Sequence, residues 1–442
     1  MYKGIAAAAA LLFCTTALFA QKPHVVMISL DGMKPEYVTH AREHQLHLPV
    51  LERFLAEGTY AQGVVGVIPT VTYPSHTTMI TGLWPAQHGI LSNTTFDPLE
   101  QHPGEWYWYF RYLKAPTLYQ AAHQAGLITA AVSWPVTVDA PVDYLIAEFP
   151  QSEKTDVPQG KLVKPVNLKD TIGVTLPANA TQDERKKVWS IGIINTFNPN
   201  YMLIHLAALD HAEHEHSPFS TQANEAVQQL DHQVGQIMDA ELKKNADAKI
   251  VIVSDHGFVR VDHHVLLNNL LAKAGLMKLR PGTVPKGTSP IGSWQASAWN
   301  AGGTAAIMLH DPTDAAAKAK VKALLDSLAA DPQYGINKVL THEEVAKRGG
   351  YPDCAFLVDF KPGWSAANGV DGAAIQDAPS TGTHGYLPDH PELRSTLMIQ
   401  GTGVAKARHL GVIDMRQIAP TVAEMLGVSL PQAKMKPVHY QP

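Results

Sequence analysis

Three short apolar runs along the chain each lead to an acidic residue. His24-Val-Val-Met-Ile-Ser-Leu30 runs into Asp31-Gly32, Tyr201-Met-Leu-Ile-His-Leu206 leads to Asp210, and Lys249-Ile-Val-Ile-Val-Ser254 stops at Asp255-His256-Gly257. Runs of this length with little polar alternation predict strands buried on both faces, as in a parallel sheet. Between the second and third runs, Glu225 to Lys243 carries Val227, Leu230, Val234, Ile237 and Leu242, mostly three or four apart, which predicts an amphipathic helix. Strand, helix, strand in this order predicts an α/β fold with a parallel sheet. Ligands in such sheets bind beyond the carboxyl ends of the strands, where all three acids sit.

The pattern is less regular from about Val261 to Asp353, with a Gly/Pro/Ser-rich stretch at Arg280 to Ser293, an apolar run Thr304 to Leu309 and a helical pattern around Ala315 to Ala329. This predicts a smaller lobe, residues 261–353, inserted into a discontinuous core of residues 22–260 and 354–430. Ala355-Phe-Leu-Val-Asp-Phe360 reads as a strand that returns the chain to that core. A strand at Ser395 to Gln400 and a helix around Asp414 to Leu426 would close it.

Composition narrows the classes. The 442 residues are 45% hydrophobic and 17% charged, with a formal charge of −5, which excludes a disordered chain and argues against a stable complex with nucleic acid. There are 22 His but only 2 Cys, so a metal site here must use imidazole and carboxylate. Met1 to Ala20, with Lys3 ahead of an apolar stretch Ile5 to Phe13, reads as a signal peptide cleaved near Ala20, taking Cys14 with it. That predicts an exported protein, periplasmic or secreted, with no membrane span in the mature chain and Cys354 left without a disulfide partner.

Candidate chemistry lies in five segments: Asp31-Gly32; Pro69-Thr-Val-Thr72-Tyr-Pro-Ser-His; Asp210-His-Ala-Glu-His214; Asp255-His256-Gly; and Gly382-Thr-His384-Gly. Each alone has an ordinary reading. An Asp after a strand is commonly a cap or turn former, and Thr72 ahead of Pro74 reads as a helix N-cap. That position also faces the positive end of a helix dipole, where a phosphoryl group is stabilised. Asp210 and His214, four apart, can share one face of a helical turn, and spacing leaves His211 and His216 open as well. Asn93 reads as a turn residue in Ser92-Asn-Thr-Thr. Trp106, Tyr107, Trp108 and Tyr109 form an aromatic cluster that either shapes access to a site or covers the sheet.

Taken in order, these segments resemble the nucleotide pyrophosphatase/phosphodiesterase family of the alkaline phosphatase superfamily. Pro69-Thr-Val-Thr-Tyr-Pro-Ser-His, then Thr81-Gly-Leu-Trp-Pro-Ala-Gln-His-Gly-Ile90 and Asn93, follow its nucleophile block, and the four Asp/His segments follow its metal blocks. The resemblance implies an alkaline-phosphatase-like, mostly parallel central sheet flanked by helices. It also implies two Zn2+ ions, one held by Asp210, His214 and His384, the other by Asp31, Asp255, His256 and the Thr72 oxygen. Thr72 would be the nucleophile of a metal-dependent diester hydrolase working through a phosphothreonine intermediate, with Asn93 donating to a phosphoryl oxygen and Tyr73 placed to stack on a nucleobase. The expected partner is a small phosphodiester or nucleotide.

A phosphomonoesterase or phosphonoacetate-type hydrolase of the same superfamily would carry basic side chains near the metals. None occurs between Lys114 and Lys154, which favours diesters, although Lys161, Lys164 or the inserted lobe offer other sources of positive charge. A non-catalytic, metal-stabilised binding protein is the further alternative. The presence of all seven expected positions argues against it.

Overall fold

Among the described residues nine strands form the central sheet, in the order Arg408–His409, Thr59–Tyr60, Leu397–Gly401, Lys249–Val253, Val25–Leu30, Tyr201–Leu206, Thr129–Val132, Tyr144–Ile146 and Val163–Lys164. The structure, a computed structural model, describes residues 22–102, 105–150, 157–282 and 289–442. The expected signal segment, Met1 to Ala20, lies outside them. The five middle strands, from Lys249–Val253 to Tyr144–Ile146, run parallel, and antiparallel strands flank them on both sides.

The continuous apolar runs follow from helices on both faces. Val25, Met27, Leu203, Val251 and Val253 pack on one side with Met79, Ile80, Leu118, Ile418 and Val422. Val26, Ile28, Leu30, Met202, Ile204, Ile250 and Ile252 pack on the other with Leu51, Ile193, Val227, Leu230 and Val234. Each such side chain, fully buried, contributes about 1.5–3 kcal/mol of transfer free energy. The helix expected from Glu225 spans Thr221–Lys244, beginning at Ser220, whose side chain accepts from the Ala223 N–H. The expected carboxy-terminal helix is Ile418–Leu426, preceded by a short 3-10 turn at Met415–Gln417.

In register, Ser29 lies beside His205 on one side and Val253 on the other, so the central strands end level. Asp31, Asp255 and the helix Ala208–His216 carrying Asp210 therefore emerge at one edge. Strand alternation also puts Ser29 and His205 on the face that receives the helix Thr72–Thr81.

A smaller four-stranded antiparallel sheet holds Ala296–Asn300, Thr304–Leu309, Cys354–Phe360 and Ile336–Thr341, in that order. The helix Ala315–Ala330 covers it through Ala317, Val321, Leu325 and Leu328. Here the boundary expected at residue 354 differs: Cys354–Phe360 pairs between Thr304–Leu309 and Ile336–Thr341, not in the central sheet. An apolar run predicts a buried strand without saying which sheet buries it, and Asp359 inside this run is satisfied locally by Asn337, Leu387 N–H and His390. Cys354 is buried with a free thiol. Among the described residues no helix is long and apolar enough to cross a membrane.

A three-stranded ribbon joins the two parts. Val259–Val265, which starts just after Asp255-His256, pairs antiparallel with Ile375–Thr383, with Thr383 opposite Val259. This pairing returns His384 to the edge of the central sheet.

Candidate active site

Two groups of side chains gather where the strands end. Asp210, His214 and His384 form one, and Asp31, Asp255 and His256 the other; within each, one donor atom per residue lies within 4.8 Å of the rest. Asp210 and His214 come together because they stand four apart on the helix Ala208–His216. His384 comes from the ribbon, and its ring stacks on that of His256 at 3.6 Å between centroids, so the two groups are neighbours. The glycines around His384 make this approach possible. A Cβ on Gly382 would stand 2.4 Å from the Glu213 carbonyl oxygen, and one on Gly385, at φ +85°, would stand 1.5 Å from that of Ala301.

The hydrogen bonds prepare both groups for cations. His214 Nδ1 faces the Gly382 carbonyl at 3.1 Å, His384 Nδ1 that of Thr70 at 3.1 Å, and His256 Nδ1 that of Gly257 at 3.3 Å. A carbonyl only accepts, so each Nδ1 carries a proton and Nε2 is the atom that presents a lone pair when the ring is neutral, the usual preparation of a metal-ligating histidine. Those Nε2 atoms lie 3.1 to 3.8 Å from Asp31 Oδ1, Asp210 Oδ1 and Asp255 Oδ2. The three oxygens and His256 Nε2 are buried with no hydrogen-bond partner. Buried polar atoms are rarely left so, and here the orphaned atoms are the ones a cation would take. The donor set, imidazole and carboxylate, fits a divalent transition metal such as zinc.

Charge agrees with this. Burial, with Asp255 and Asp210 close by, raises the Asp31 carboxyl well above the usual carboxylate range. Burial acts to raise Asp210 too, but His214, His384 and His256 outweigh it and hold that carboxyl low. Burial pushes His256 down to about 3 and His384 well below its ordinary value, so both rings are neutral at pH 7. Among the described residues no Lys or Arg ion pair involves Asp31, Asp210 or Asp255.

Thr72 begins the ten-residue helix Thr72–Thr81, which ends at Gly82 with φ 71°. Its expected N-cap role is corrected: Val71 occupies the cap position and the Thr72 hydroxyl caps nothing, because the helix starts one residue earlier. Asn93 supplies the cap from a distance. Its Oδ1 accepts from the Tyr73 N–H at 2.9 Å, which fixes the amide so that Nδ2 faces Thr72 Oγ1 at 3.4 Å. Pro74 has no N–H, and the Ser75 N–H bonds to Val71 O. Asn93 is therefore more than a turn residue, since it orients the first turn and points a donor at the hydroxyl.

Tyr73 stands differently from its expected stacking role. Its ring is 1% exposed, meets Trp106 edge-on at 5.4 Å and donates its hydroxyl to Glu148 Oε2 at 2.8 Å. One residue along a helix rotates the side chain about 100°, which turns Tyr73 into the core while Thr72 stays at the sheet edge. His211 and His216 stay on the exposed face of their helix beside Glu215 and join neither group.

Three residues of the site escaped the sequence reading. His205, buried, holds Asp31 Oδ2 at 2.9 Å through Nε2 and the Ser133 carbonyl at 3.1 Å through Nδ1. His76 reaches the Thr72 carbonyl at 2.8 Å and Ser29 Oγ at 2.8 Å, tying the helix start to the sheet. Glu148 holds Tyr73. The available signal was His205 itself, an imidazole inside an otherwise apolar strand with Ser29 opposite on the neighbouring one.

The chain is similar to known proteins over most of its length. Residues 25–387 match the family described as type I phosphodiesterase/nucleotide pyrophosphatase. Human ectonucleotide pyrophosphatase/phosphodiesterase family member 1 is 26% identical over 292 residues, covering 60% of this chain and 28% of that protein. An uncharacterized pyrophosphatase/phosphodiesterase of Schizosaccharomyces pombe is 23% identical over 258 residues, 55% of this chain and 46% of its own. The chain thus spans under half the length of these relatives. Among solved structures, human ectonucleotide pyrophosphatase/phosphodiesterase 5 superposes with a TM-score of 0.63 at 19% identity, covering 92% of this chain and 96% of the other. An inactive form of the murine protein in complex with AMP gives 0.65 at 18% identity, covering 94% and 97%. The last two establish the shared fold.

Proposed function

The chain belongs to the type I phosphodiesterase/nucleotide pyrophosphatase family, and from that premise we propose that it is an exported two-metal hydrolase of phosphodiester or phosphoanhydride bonds with Thr72 as its nucleophile. The observation that carries this reading is the pair of adjacent ligand groups. Their histidines are each tied through Nδ1 to a carbonyl, and Asp31 Oδ1, Asp210 Oδ1, Asp255 Oδ2 and His256 Nε2 are buried without a partner. The Met1 to Ala20 segment supports export, as does the human relative's name as an ectonucleotide pyrophosphatase/phosphodiesterase.

Asp210, His214 and His384 would hold one cation; Asp31, Asp255 and His256, joined by Thr72 Oγ, the other. Two zinc ions, when bound, supply acidification of a hydroxyl or water and neutralisation of charge at phosphorus. Thr72 Oγ forms a bond to phosphorus as the bond to the leaving oxygen breaks. The hydroxyl proton is released to solvent and the leaving group takes one up. A water then attacks the phosphothreonine in line, and the Thr72 oxygen leaves and regains a proton. Asn93 Nδ2 and the Thr72 N–H, which has no partner among the described residues, are the donors for a non-bridging oxygen. His76 keeps the Thr72 carbonyl fixed to the sheet through both steps.

A monoester adds negative charge, and two of the basic residues that might balance it are engaged elsewhere. Lys161 pairs with Asp139 at 3.1 Å, and Lys164 donates to the Ala140 carbonyl at 3.1 Å. This favours diesters over the phosphomonoesterase and phosphonoacetate-type alternatives. A nucleotide is one candidate for the organic part, as in the murine relative's complex with AMP. Trp106 and Trp108, parallel within 8° and 6.3 Å apart, are candidates for its wall. The test is turnover of a nitrophenyl phosphodiester against the matching monoester by metal-loaded protein, with Thr72→Ala and a chelated sample as controls. Faster cleavage of the diester, lost in both controls, is expected. Faster cleavage of the monoester refutes the diesterase assignment, and cleavage of neither favours a non-catalytic metal-binding protein.

A further inference from the structure

We infer that Glu148 is a specificity-determining residue: its carboxylate sets the charge that a substrate can carry beside Thr72, disfavouring a second ionised oxygen or an anionic organic group and favouring neutral or cationic ones. The inference rests on the phosphodiesterase reading above and deepens it.

Glu148 lies two residues beyond the strand Tyr144–Ile146, at the same carboxyl edge as Asp31, because Ile146, Val132, Ile204 and Ile28 stand in register across the sheet. Two neighbours place the carboxylate. Oε2 accepts from the Tyr73 hydroxyl at 2.8 Å, and Oε1 lies 3.8 Å from His205 Nδ1, whose other nitrogen holds Asp31. Its side chain keeps 28% of its surface exposed, unlike the buried Asp255 and His205. Where a hydrolase of monoesters needs a cation, this edge presents a fourth carboxylate, and among the described residues no Lys or Arg pairs with it. Unit charges separated by roughly the length of a tyrosine side chain, at the effective dielectric of a half-exposed site, alter affinity by about tenfold.

The experiment compares kcat/KM for a nitrophenyl diester and monoester in the metal-loaded wild type, Glu148→Gln, Glu148→Arg and Glu148→Asp. Gln keeps the volume and an acceptor for Tyr73 without the charge, Arg reverses the charge, and Asp keeps it on a shorter arm. The monoester-to-diester ratio is expected to rise about tenfold in Gln and further in Arg, and to stay within about threefold in Asp. A purely structural role would instead damage both substrates together. In parallel, calorimetry measures phenyl phosphate binding to metal-loaded Thr72→Ala with and without Glu148→Gln, with about tenfold tightening expected. A ratio and an affinity that both stay within twofold in Gln and Arg, at unchanged metal content and melting temperature, overturn the inference. Absence of turnover in the wild type overturns the phosphodiesterase reading instead, and the binding arm still decides the role of Glu148.

Discussion

Asn93 performs two tasks with two different atoms, so they can be separated. Its Oδ1 caps the Tyr73 N–H at 2.9 Å, and its Nδ2 faces Thr72 Oγ1 at 3.4 Å. Asn93→Ala removes both. The lost cap costs about 1 kcal/mol, a fall of about 1 °C in Tm for a chain of this size. The lost donor costs about 3–4 kcal/mol of transition-state stabilisation, a drop of about 10²–10³ in kcat, if it acts on the charge developing at phosphorus. Asn93→Asp keeps an acceptor for the Tyr73 N–H, and its negative charge suits the helix start, worth about 0.3–1 kcal/mol. It also turns an oxygen towards Thr72 and the phosphoryl group. Thermal unfolding and steady-state kinetics on a nitrophenyl diester therefore diverge: Asp is expected to melt at or above the wild type and to lose at least as much kcat as Ala. An Asp variant that retains more than about a tenth of wild-type kcat would show that Asn93 only caps the helix, and the donor role would fall.

Three further outcomes follow from the same geometry. His205→Phe leaves Asp31 Oδ2 without its partner at 2.9 Å, so zinc affinity in a chelator competition should fall about 10–100-fold; unchanged affinity would mean that Asp31 is oriented by other contacts. Burial pushes His88 down to about 3, with Nδ1 accepting from the Ile90 N–H and Nε2 beside Thr78 Oγ1. Its folded pKa lies below the unfolded value, so the stability tied to its neutral ring is complete above about pH 6.5 and is lost as pH falls towards 3, by up to about 1.4 kcal/mol per pH unit. Denaturant titrations at pH 7, 5.5 and 4 should show a shallower loss in His88→Asn, and parallel curves would refute it. Removing divalent metal leaves the orphaned oxygens of Asp31, Asp210 and Asp255 without the cation they are arranged to take, so a chelator should lower Tm and zinc restore it; about 4 kcal/mol is at stake at a thousandfold excess over Kd. An unchanged Tm would show that the two groups hold no metal in the native protein.

The residues of the two proposed ligand groups are legible because each stands just beyond a strand that reads as buried, or four residues from another member on one helix. His384 was reachable only through the ordered motif segments, since the pairing of Thr383 with Val259 that brings it home is a long-range contact no local pattern announces. Neighbouring sequence positions part at the start of the helix Thr72–Thr81. Thr72 reads as a cap, and Tyr73 reads equally as a stacking aromatic, by resemblance, or as core; one step of helical rotation separates a hydroxyl at the sheet edge from a core aromatic. His205 and Glu148 stayed hidden for a related reason. One sits inside a strand and the other past a short one, and their roles exist only once Asp31 and Tyr73 arrive from segments over 70 residues away. Ala355 to Phe360 reads as a strand of the core, and the strand Cys354–Phe360 lies in the smaller sheet, because burial on both faces is a property both sheets offer.

The central claim is that Thr72 takes the phosphoryl group before water does, and the stereochemical course at phosphorus tests it most directly. Each in-line displacement inverts the centre. Hydrolysis of a chiral phosphorothioate diester in isotopically labelled water should therefore proceed with net retention, the product of two inversions. Net inversion would mean that water attacks the diester itself, and Thr72 would be no nucleophile.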